Sequence, residues 1–471
     1  MRPARALTGA LPGLLLLAGA TAAVKSVPFY AGWIVATYVV LWVVLAAALA
    51  RGWRVGVTGR WSAGLVLAVA ALVTYVVPTF TYVPPSHAAT IRGLVALGTL
   101  GTGVLLAVAP RWHRVAALVL AAVVFVAASA AVIRLDPTPH IDVWYTLQGA
   151  ADGLLHGQDM YTQVWPDSPG QRDAFTYLPW TAVLLTPARL LAGDVRWGLV
   201  AAQLLAAAVV VAVARTPSGA GRARERRLDV GAGAAAALLL LPGTLTQIEQ
   251  AWTEPLIFLL VALTLLAVAR GSAWLAVVPL ALALASKQHL ALFLPLLAVW
   301  RPFGVRRTAV AAAAGFVLVL PWLLADTRAM WHDTVTLLVG FHPIRFADTL
   351  YLAAMHELGW QPPFWLTAAL ALAVVAGAVV AVRRLDPLPE RFAVVAAVTL
   401  FGANLLNKQA FYNQFWLVGA LVLLAWPSQG RPQGRGPGRA DAADLGRLGR
   451  SESSQSTRIE LTGPGASSGR K

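Results

Sequence analysis

Acidic and aromatic side chains are concentrated in one stretch of the chain, residues 135–178. No acidic residue precedes Asp136, and six of the 21 acids then fall within this stretch. The stretch also holds these histidine and aromatic residues: His140, Trp144, Tyr145, His156, Tyr161, Trp165 and Tyr177. Carboxylates accept hydrogen bonds from hydroxyl groups, and aromatic rings stack on apolar faces of sugars. The stretch is therefore typical of a site for a polyhydroxylated ligand, and a solvated acidic loop with interfacial aromatic residues is the alternative.

Asp142 is the candidate general base of this stretch. It lies in the segment His140-Ile-Asp-Val-Trp144, directly after an apolar run, and a helix-compatible segment, Tyr145–Leu155, follows it. This order places Asp142 near a membrane surface, at the start of an interfacial helix, where a carboxylate can take a proton from an acceptor hydroxyl. The same position also suits a helix N-cap.

Two of the four lysines occur in similar turns, Ser286-Lys287-Gln288-His289 and Asn407-Lys408-Gln409. Each turn follows an apolar helix, at the membrane surface where few positive charges are expected. A lipid phosphate is the partner we expect for such a lysine. Snorkelling of the ammonium group towards water or headgroups is the alternative.

Two further polar loops, 246–254 and 326–348, are expected at the same surface. In the first, Glu249 or Glu254 is a candidate to bind an acceptor or to assist a metal ion, and in the second Arg345 is a candidate to bind phosphate. Ordinary solvation of a loop explains each of these residues equally well.

The elements that position these residues are predicted to be membrane-spanning helices. Hydrophobic residues make up 58% of the 471 residues and charged residues 12%, which excludes a soluble globular protein. Apolar runs near the length needed to cross a bilayer recur along the chain, so we predict an all-α polytopic transmembrane bundle of about 12–14 spans with one long outer loop. The absence of cysteine excludes disulfides and thiolate metal sites.

We predict helices near 7–24, 29–50, 61–80, 93–109, 115–133, 196–214, 229–245, 255–269, 273–286, 289–300, 308–325, 364–382, 392–406 and 411–426. The short connections rich in arginine then share one side, which the positive-inside rule assigns to the cytoplasm. The segment 273–300 is predicted to form two short helices that meet near Lys287 at the outer surface. This placement also explains the net charge of +16 without a nucleic-acid partner.

The chain divides into four predicted regions. Residues 1–134 form N-terminal transmembrane helices, 135–178 an extracytoplasmic catalytic loop, 179–426 the transmembrane core with shorter outer loops, and 427–471 a disordered cytoplasmic tail. A cleaved signal peptide within residues 1–23 is the alternative for the first helix. No Walker A, HExxH or GxSxG motif occurs, so an ATP-driven pump, a zinc protease or a serine hydrolase has no support.

The order of these motifs resembles a known family. The runs Ile141-Asp-Val-Trp144, Leu155-His-Gly-Gln-Asp-Met-Tyr161 and Tyr177-Leu-Pro179, with Thr186-Pro187, are similar to the motifs of polyprenyl-phosphate-sugar-dependent glycosyltransferases of the GT-C fold. A second block runs from Gln247-Ile-Glu-Gln250 through Ala285-Ser-Lys-Gln288 to Leu294-Pro295. The resemblance covers about residues 135–300 and is greatest to actinobacterial membrane mannosyltransferases, which build cell-envelope glycans.

The resemblance implies an inverting transfer of a sugar, with mannose expected, from a polyprenyl phosphate to a glycolipid, glycan or protein outside the cell membrane. Asp142 matches the family's essential aspartate and would act as base, while Lys287, Lys408 and Arg345 would stabilise the donor phosphate. Substrate contacts are expected from His140, Asp159, Tyr161, Tyr177, Glu249 and Gln288. A divalent metal ion can take part in GT-C enzymes, but the sequence contains no firm set of ligands for one.

One departure from the family pattern concerns the spans before Asp142. The family places its catalytic loop after the first span, whereas about five predicted spans precede it here. Either the chain carries additional N-terminal helices or Asp142 is not the equivalent aspartate. A transporter or lipid flippase that uses Lys287 and Lys408 to bind its substrate is the competing function, although charges near helix centres and repeated halves, which are typical of transporters, are not evident.

Overall fold

A computed structural model describes residues 3–52, 56–108, 112–216 and 222–427, and all regular secondary structure in these ranges is helical. Eight of the helices are long and apolar enough to cross a membrane, and five further apolar helices are shorter. The all-α, polytopic class predicted from composition is therefore confirmed. The predicted tail falls outside the described residues except for Pro427.

Five long helices come first. They are α1 (Pro3–Ser26), α2 (Gly32–Ala50), α3 (Arg60–Val76), α4 (Pro85–Val108) and α5 (His113–Leu135). The backbones of α3 and α4 approach closely where Gly64 faces Gly103, because a Cβ on either residue would lie within 3.0 Å of the other's carbonyl oxygen. This tight packing holds α3 against α4 at the end of the pair opposite the loop that connects them.

The stretch predicted as the catalytic loop is folded. It contains α6 (Asp142–Leu155) and leads into α7 (Trp180–Ala192), and α8 (Arg196–Ala214) follows. The predicted interfacial helix is thus present and begins at Asp142, whereas α7 was not predicted. Arg189 of α7 forms a bidentate ion pair with Asp152 of α6 at 2.6 and 3.0 Å, which anchors α6 to the bundle.

The core continues through α9 (Arg222–Leu240), α10 (Thr244–Glu249), α11 (Glu254–Ala269), α12 (Val277–Leu284), α13 (Leu294–Val299) and α14 (Gly304–Ala325). The two short helices predicted within 273–300 are present, because α12 ends before Lys287 and a 3-10 turn, Gln288–Phe293, leads into α13. Lys287 itself has extended backbone, with φ −149°. The break between the two helices is what places this lysine in a turn.

The last helices are α15 (Thr327–Trp331), α16 (Leu337–Gly340), α17 (Leu350–Leu358), α18 (Phe364–Arg384), α19 (Pro389–Leu406) and α20 (Tyr412–Ala425). A π-helical turn, His332–Thr336, joins α15 to α16. Each of the fourteen predicted helices has a counterpart among α1–α20, with the main differences at the helix ends.

Several basic segments meet at one end of the bundle. Arg114 pairs with Asp229 at 2.5 Å and with Glu225 at 2.7 Å, which joins the start of α5 to α9. Arg227 is buried, donates to the carbonyl of Pro427 at 3.1 Å and lies 3.5 Å from Glu390 of α19. Hydrogen bonds and ring contacts at the opposite end bring together the turns that carry the candidate site residues.

Candidate active site

Asp142 is the first residue of α6, and backbone N–H groups hold its carboxylate. One oxygen accepts the N–H of Val143 at 2.8 Å, and the other accepts the N–H of Gln171 at 3.1 Å. Gly170 packs so closely that a Cβ there would lie 2.5 Å from Oδ2 of Asp142. The side chain is half-buried, and neutral backbone donors orient it.

Lys287 is buried in a polar cluster at the same end of the bundle. Its ammonium group donates to Oγ1 of Thr253 at 2.9 Å and to a carboxylate oxygen of Glu254. Glu254 is fully buried, and its second oxygen has no hydrogen-bond partner. We predicted a lipid phosphate as the compensating charge for Lys287, but the structure provides an internal carboxylate for that purpose.

Tyr177 lies beside the lysine cluster and within the electrostatic influence of Asp142. The Lys287 ammonium is 5.5 Å from the centre of the Tyr177 ring, a cation–π contact. Burial, and then the nearby carboxylates of Glu254 and Asp142, raise the pKa of Tyr177 well above its ordinary value. The hydroxyl therefore stays protonated at neutral pH.

Three other predicted substrate residues hold Tyr177 in place. The hydroxyl of Tyr161, which is 4% exposed, donates to the carbonyl of Tyr177 at 2.9 Å, and Asp159 accepts the N–H of Tyr161 at 3.1 Å. Gln288 donates to the carbonyl of Thr176 at 2.9 Å. These hydrogen bonds of Asp159, Tyr161 and Gln288 are thus with protein groups, and they hold the segment that carries Tyr177.

Glu249 is the last residue of α10. Its Oε1 accepts Oγ1–H of Thr81 at 2.5 Å and the N–H of Tyr82 at 2.8 Å, both from the loop between α3 and α4. Burial raises the pKa of Glu249 to about 6. Glu249, which we predicted as a substrate contact, thus holds the loop that carries Tyr82, and the Tyr82 ring meets that of exposed His140 with centroids 6.4 Å apart.

Lys408 and Arg345 lie on two loops that contact each other. The N–H of Ile344 donates to the carbonyl of Lys408 at 3.1 Å, and the Lys408 ammonium donates to the carbonyl of Val339 at 2.8 Å. Arg345 is exposed, and burial lowers the pKa of Lys408 below its ordinary value. These backbone contacts join the loops that carry Arg345 and Lys408.

Aromatic contacts connect these cations with the Lys287 cluster. The ring of Phe411 lies 5.5 Å from Trp252, next to Thr253, and 5.3 Å from Phe346, next to Arg345. Trp252 also contacts Tyr412, which lines an apolar cavity of about 270 Å³ among α1, α2, α9, α19 and α20. The cavity thus ends close to the polar cluster.

Sequence reasoning missed two parts of this arrangement. Tyr82 was not singled out, because one aromatic residue in a short loop carries no spacing signal that links it to Asp142. Glu254 was considered only as a loop carboxylate, and its pairing with Lys287, 33 residues away, depends on the tertiary fold. Within the described ranges, no three His, Asp or Glu side chains are grouped so that they could hold a metal ion.

The fold and the site together define a multi-helix membrane protein with a group of polar side chains at one end of the bundle. Residues 175–407 match the model of glycosyltransferase family 87, so the chain carries a membrane glycosyltransferase domain of this GT-C-type family. The matched range includes Tyr177, Glu249, Lys287, Gln288 and Arg345, whereas Asp142 precedes it and Lys408 follows it directly. No curated protein matches the chain.

Proposed function

We propose that the protein transfers a sugar from a polyprenyl phosphate to a hydroxyl group of an extracytoplasmic acceptor, with Asp142 as general base. The observation that carries this proposal is that Tyr177 lies near both the Lys287–Glu254 pair, whose ammonium is 5.5 Å from its ring, and Asp142, whose carboxylate acts on its hydroxyl. A base and a cation near one aromatic ring suit a reaction that removes a proton from an acceptor and releases a phosphate.

In the proposed step, Asp142 takes the proton of the acceptor hydroxyl while the acceptor oxygen bonds to the anomeric carbon of the sugar. The bond from that carbon to the phosphate oxygen breaks, the electron pair leaves with the polyprenyl phosphate, and the configuration inverts. Lys287 stabilises the charge that grows on the phosphate, since two of its three donors are occupied by Thr253 and Glu254 and one remains.

Lys408 and Arg345 are proposed to contact the outer part of the same phosphate, and Tyr177 to stack on the sugar. The apolar cavity that ends at Tyr412 offers room for part of the polyprenyl chain, because its lining is almost entirely aliphatic and aromatic. Mannose is the first donor sugar to test, and a cell-envelope glycan of an actinobacterium the first acceptor class, on the basis of the motif resemblance.

The test is transfer from labelled polyprenyl-phosphate mannose in membranes that contain the protein, its Asp142→Asn variant or its Asp167→Asn variant at equal levels. Asp167 is an exposed acid of the same loop, so D167N is the matched control. We expect a loss of about 10²–10⁴-fold in D142N and wild-type transfer in D167N. Equal transfer by D142N and the parent would remove Asp142 as the base.

The side of the membrane can be tested separately, because the chain has no cysteine. An impermeant maleimide should label an Asp167→Cys variant in intact cells. It should label an Arg215→Cys variant, at the exposed C-terminal end of α8, only after permeabilisation. The reverse pattern would place the site in the cytoplasm and contradict the proposed use of an extracytoplasmic acceptor.

A further inference from the structure

Hydrogen bonds to Glu249 hold the loop between α3 and α4 at the candidate site. Glu249, Thr81 and Tyr82, with the bonds between them, are called the Glu249 latch below. Oε1 of Glu249 accepts from both Thr81 and Tyr82, and Oγ1 of Thr81 in turn accepts the N–H of Val83 at 3.1 Å. Glu249 is only 3% exposed, so this latch is largely sheltered from water. A loop that precedes the matched family domain is thereby held against a residue within it.

The latch places the Tyr82 ring beside the segment that leads to Asp142. The ring stands edge-on to His140, at an interplanar angle of 82°, and edge-on to Phe80, with centroids 5.0 Å apart. Burial and the carboxylates of Glu249, Asp136 and Asp142 raise the pKa of Tyr82 to about 12. The hydroxyl therefore remains a hydrogen-bond donor throughout the physiological pH range.

The charges around Tyr82 differ from those around Tyr177. The charged groups that act most on the Tyr82 hydroxyl are three carboxylates, whereas Tyr177 has the carboxylates of Glu254 and Asp142 nearby and, in addition, the Lys287 ammonium over its ring. Carboxylates repel a phosphate but accept hydrogen bonds from hydroxyl groups. The Tyr82 side therefore suits a neutral, hydroxyl-rich molecule, and the Tyr177 side suits the phosphate donor.

We infer that Tyr82 and His140 form an acceptor subsite for a neutral sugar, next to Asp142, and that the Glu249 latch positions Tyr82 within it. This inference rests on the proposed function and adds a residue that determines acceptor affinity. Tyr82 donates its hydroxyl to an acceptor oxygen, and the edge of its ring packs on the sugar.

Kinetic constants of Tyr82→Phe and Thr81→Val test the subsite, with octyl mannoside as acceptor probe and polyprenyl-phosphate mannose as donor. Tyr75→Phe is the matched control, because Tyr75 is 64% exposed on α3. We expect the KM for octyl mannoside to rise about threefold to tenfold in Y82F, the value of one hydrogen bond, while the donor KM stays unchanged. Thr81→Val should also raise the KM for octyl mannoside, because it removes the hydrogen bond from Thr81 to Glu249 that helps to hold Tyr82. A rise in donor KM alone, or an unchanged acceptor KM, would overturn the inference.

A binding readout separates this inference from the proposed function. A Tyr82→Cys variant is a single-cysteine protein, so its rate of maleimide labelling reports access to the subsite. We expect octyl mannoside to slow the labelling severalfold and decaprenyl phosphate to leave it unchanged. Protection by the phosphate alone would overturn the acceptor assignment. Absence of transfer by the parent, together with protection by the mannoside, would overturn the proposed reaction and keep the subsite.

Discussion

Carboxylates at the basic end of the bundle have different partners from Asp142 and Glu249 at the candidate site. At the basic end, Asp229 and Glu225 pair with Arg114, and Glu390 lies beside buried Arg227, so each of these carboxylates has a guanidinium partner. At the candidate site, Asp142 and Glu249 accept from backbone N–H and hydroxyl groups instead. A carboxylate paired with arginine has its charge compensated within the fold, whereas one held by neutral donors has no internal counter-charge and is open to a ligand.

Lys287 and Glu254 are the instructive exception at the candidate site, because they form a buried ion pair there. A pair that only stabilises the fold can be replaced by neutral residues without loss of function. A pair that presents an ammonium group to a substrate cannot be replaced in this way without loss of activity. Variants of this pair therefore distinguish the two roles most strongly.

The largest expected effect is that of Lys287→Met, which leaves Glu254 charged, buried and unpaired. We expect a loss of about 3–5 kcal/mol of folding free energy together with loss of transfer. The double variant K287M/E254Q should regain most of that stability, measured as melting temperature in detergent, but should still not transfer sugar.

Glu390→Gln at the basic end is the matched control for Glu254→Gln. Both glutamates are buried beside a cation, so both variants should melt at a lower temperature. Only E254Q should lower kcat per folded molecule, because only Lys287 faces the proposed phosphate. Recovery of sugar transfer in K287M/E254Q would mean that the Lys287–Glu254 pair only stabilises the fold, as the Arg227–Glu390 pair does at the basic end.

A smaller effect is expected from Gly170→Ala, which tests the neutral support of Asp142. The added Cβ would lie 2.5 Å from Oδ2 of Asp142, so the carboxylate or the Gly170 backbone must move. We expect kcat to fall about tenfold to a hundredfold at unchanged donor KM, because the base is displaced by a fraction of an ångström to 1 Å.

Gly93→Ala is the control for this substitution, since a Cβ at Gly93 meets nothing within 4 Å. G93A should transfer at the parent rate. Parent-like kcat in G170A, at parent-like protein levels, would mean that the orientation of Asp142 does not limit the reaction.

The helical architecture was predictable because hydrophobic length is a local property. Even the break around Lys287 followed from the short apolar runs on either side of it and from the need to keep Arg383 and Arg384 on the basic side. α7 was missed because it is short and lies close to the long polar loop, where no apolar run of spanning length marks it.

The site was predictable only in part, because residue types indicate chemistry but not partners. Asp142 and Lys287 were identified from type and position, whereas the partners that define their roles come from distant segments: Gln171 for the first, Thr253 and Glu254 for the second. Tyr161 shows the converse, since a polar aromatic residue in a predicted binding loop is buried and supports Tyr177. Such assignments require the tertiary contacts.

The smallest expected effect is a pH-dependent contribution of Glu249 to stability. Its hydrogen-bond partners are neutral, and its pKa lies within the pH range that can be tested. Burial raises its pKa from 4.5 to about 6, so the folded state holds this proton more tightly than the unfolded state. Its contribution to stability is therefore fully present below about pH 4.5 and is lost as the pH rises through about 6, a change of about 2 kcal/mol.

The variant Glu249→Gln tests this pH dependence, because its side-chain oxygen can still accept the hydrogen bonds from Thr81 and Tyr82 but the side chain cannot titrate. The difference in melting temperature between E249Q and the parent should grow in favour of the variant from pH 4.5 to pH 7, while D167N should track the parent. A melting-temperature difference that stays constant across this range would mean that folding does not change the pKa of Glu249. The contrast between the basic end and the candidate site would then depend on Asp142 alone.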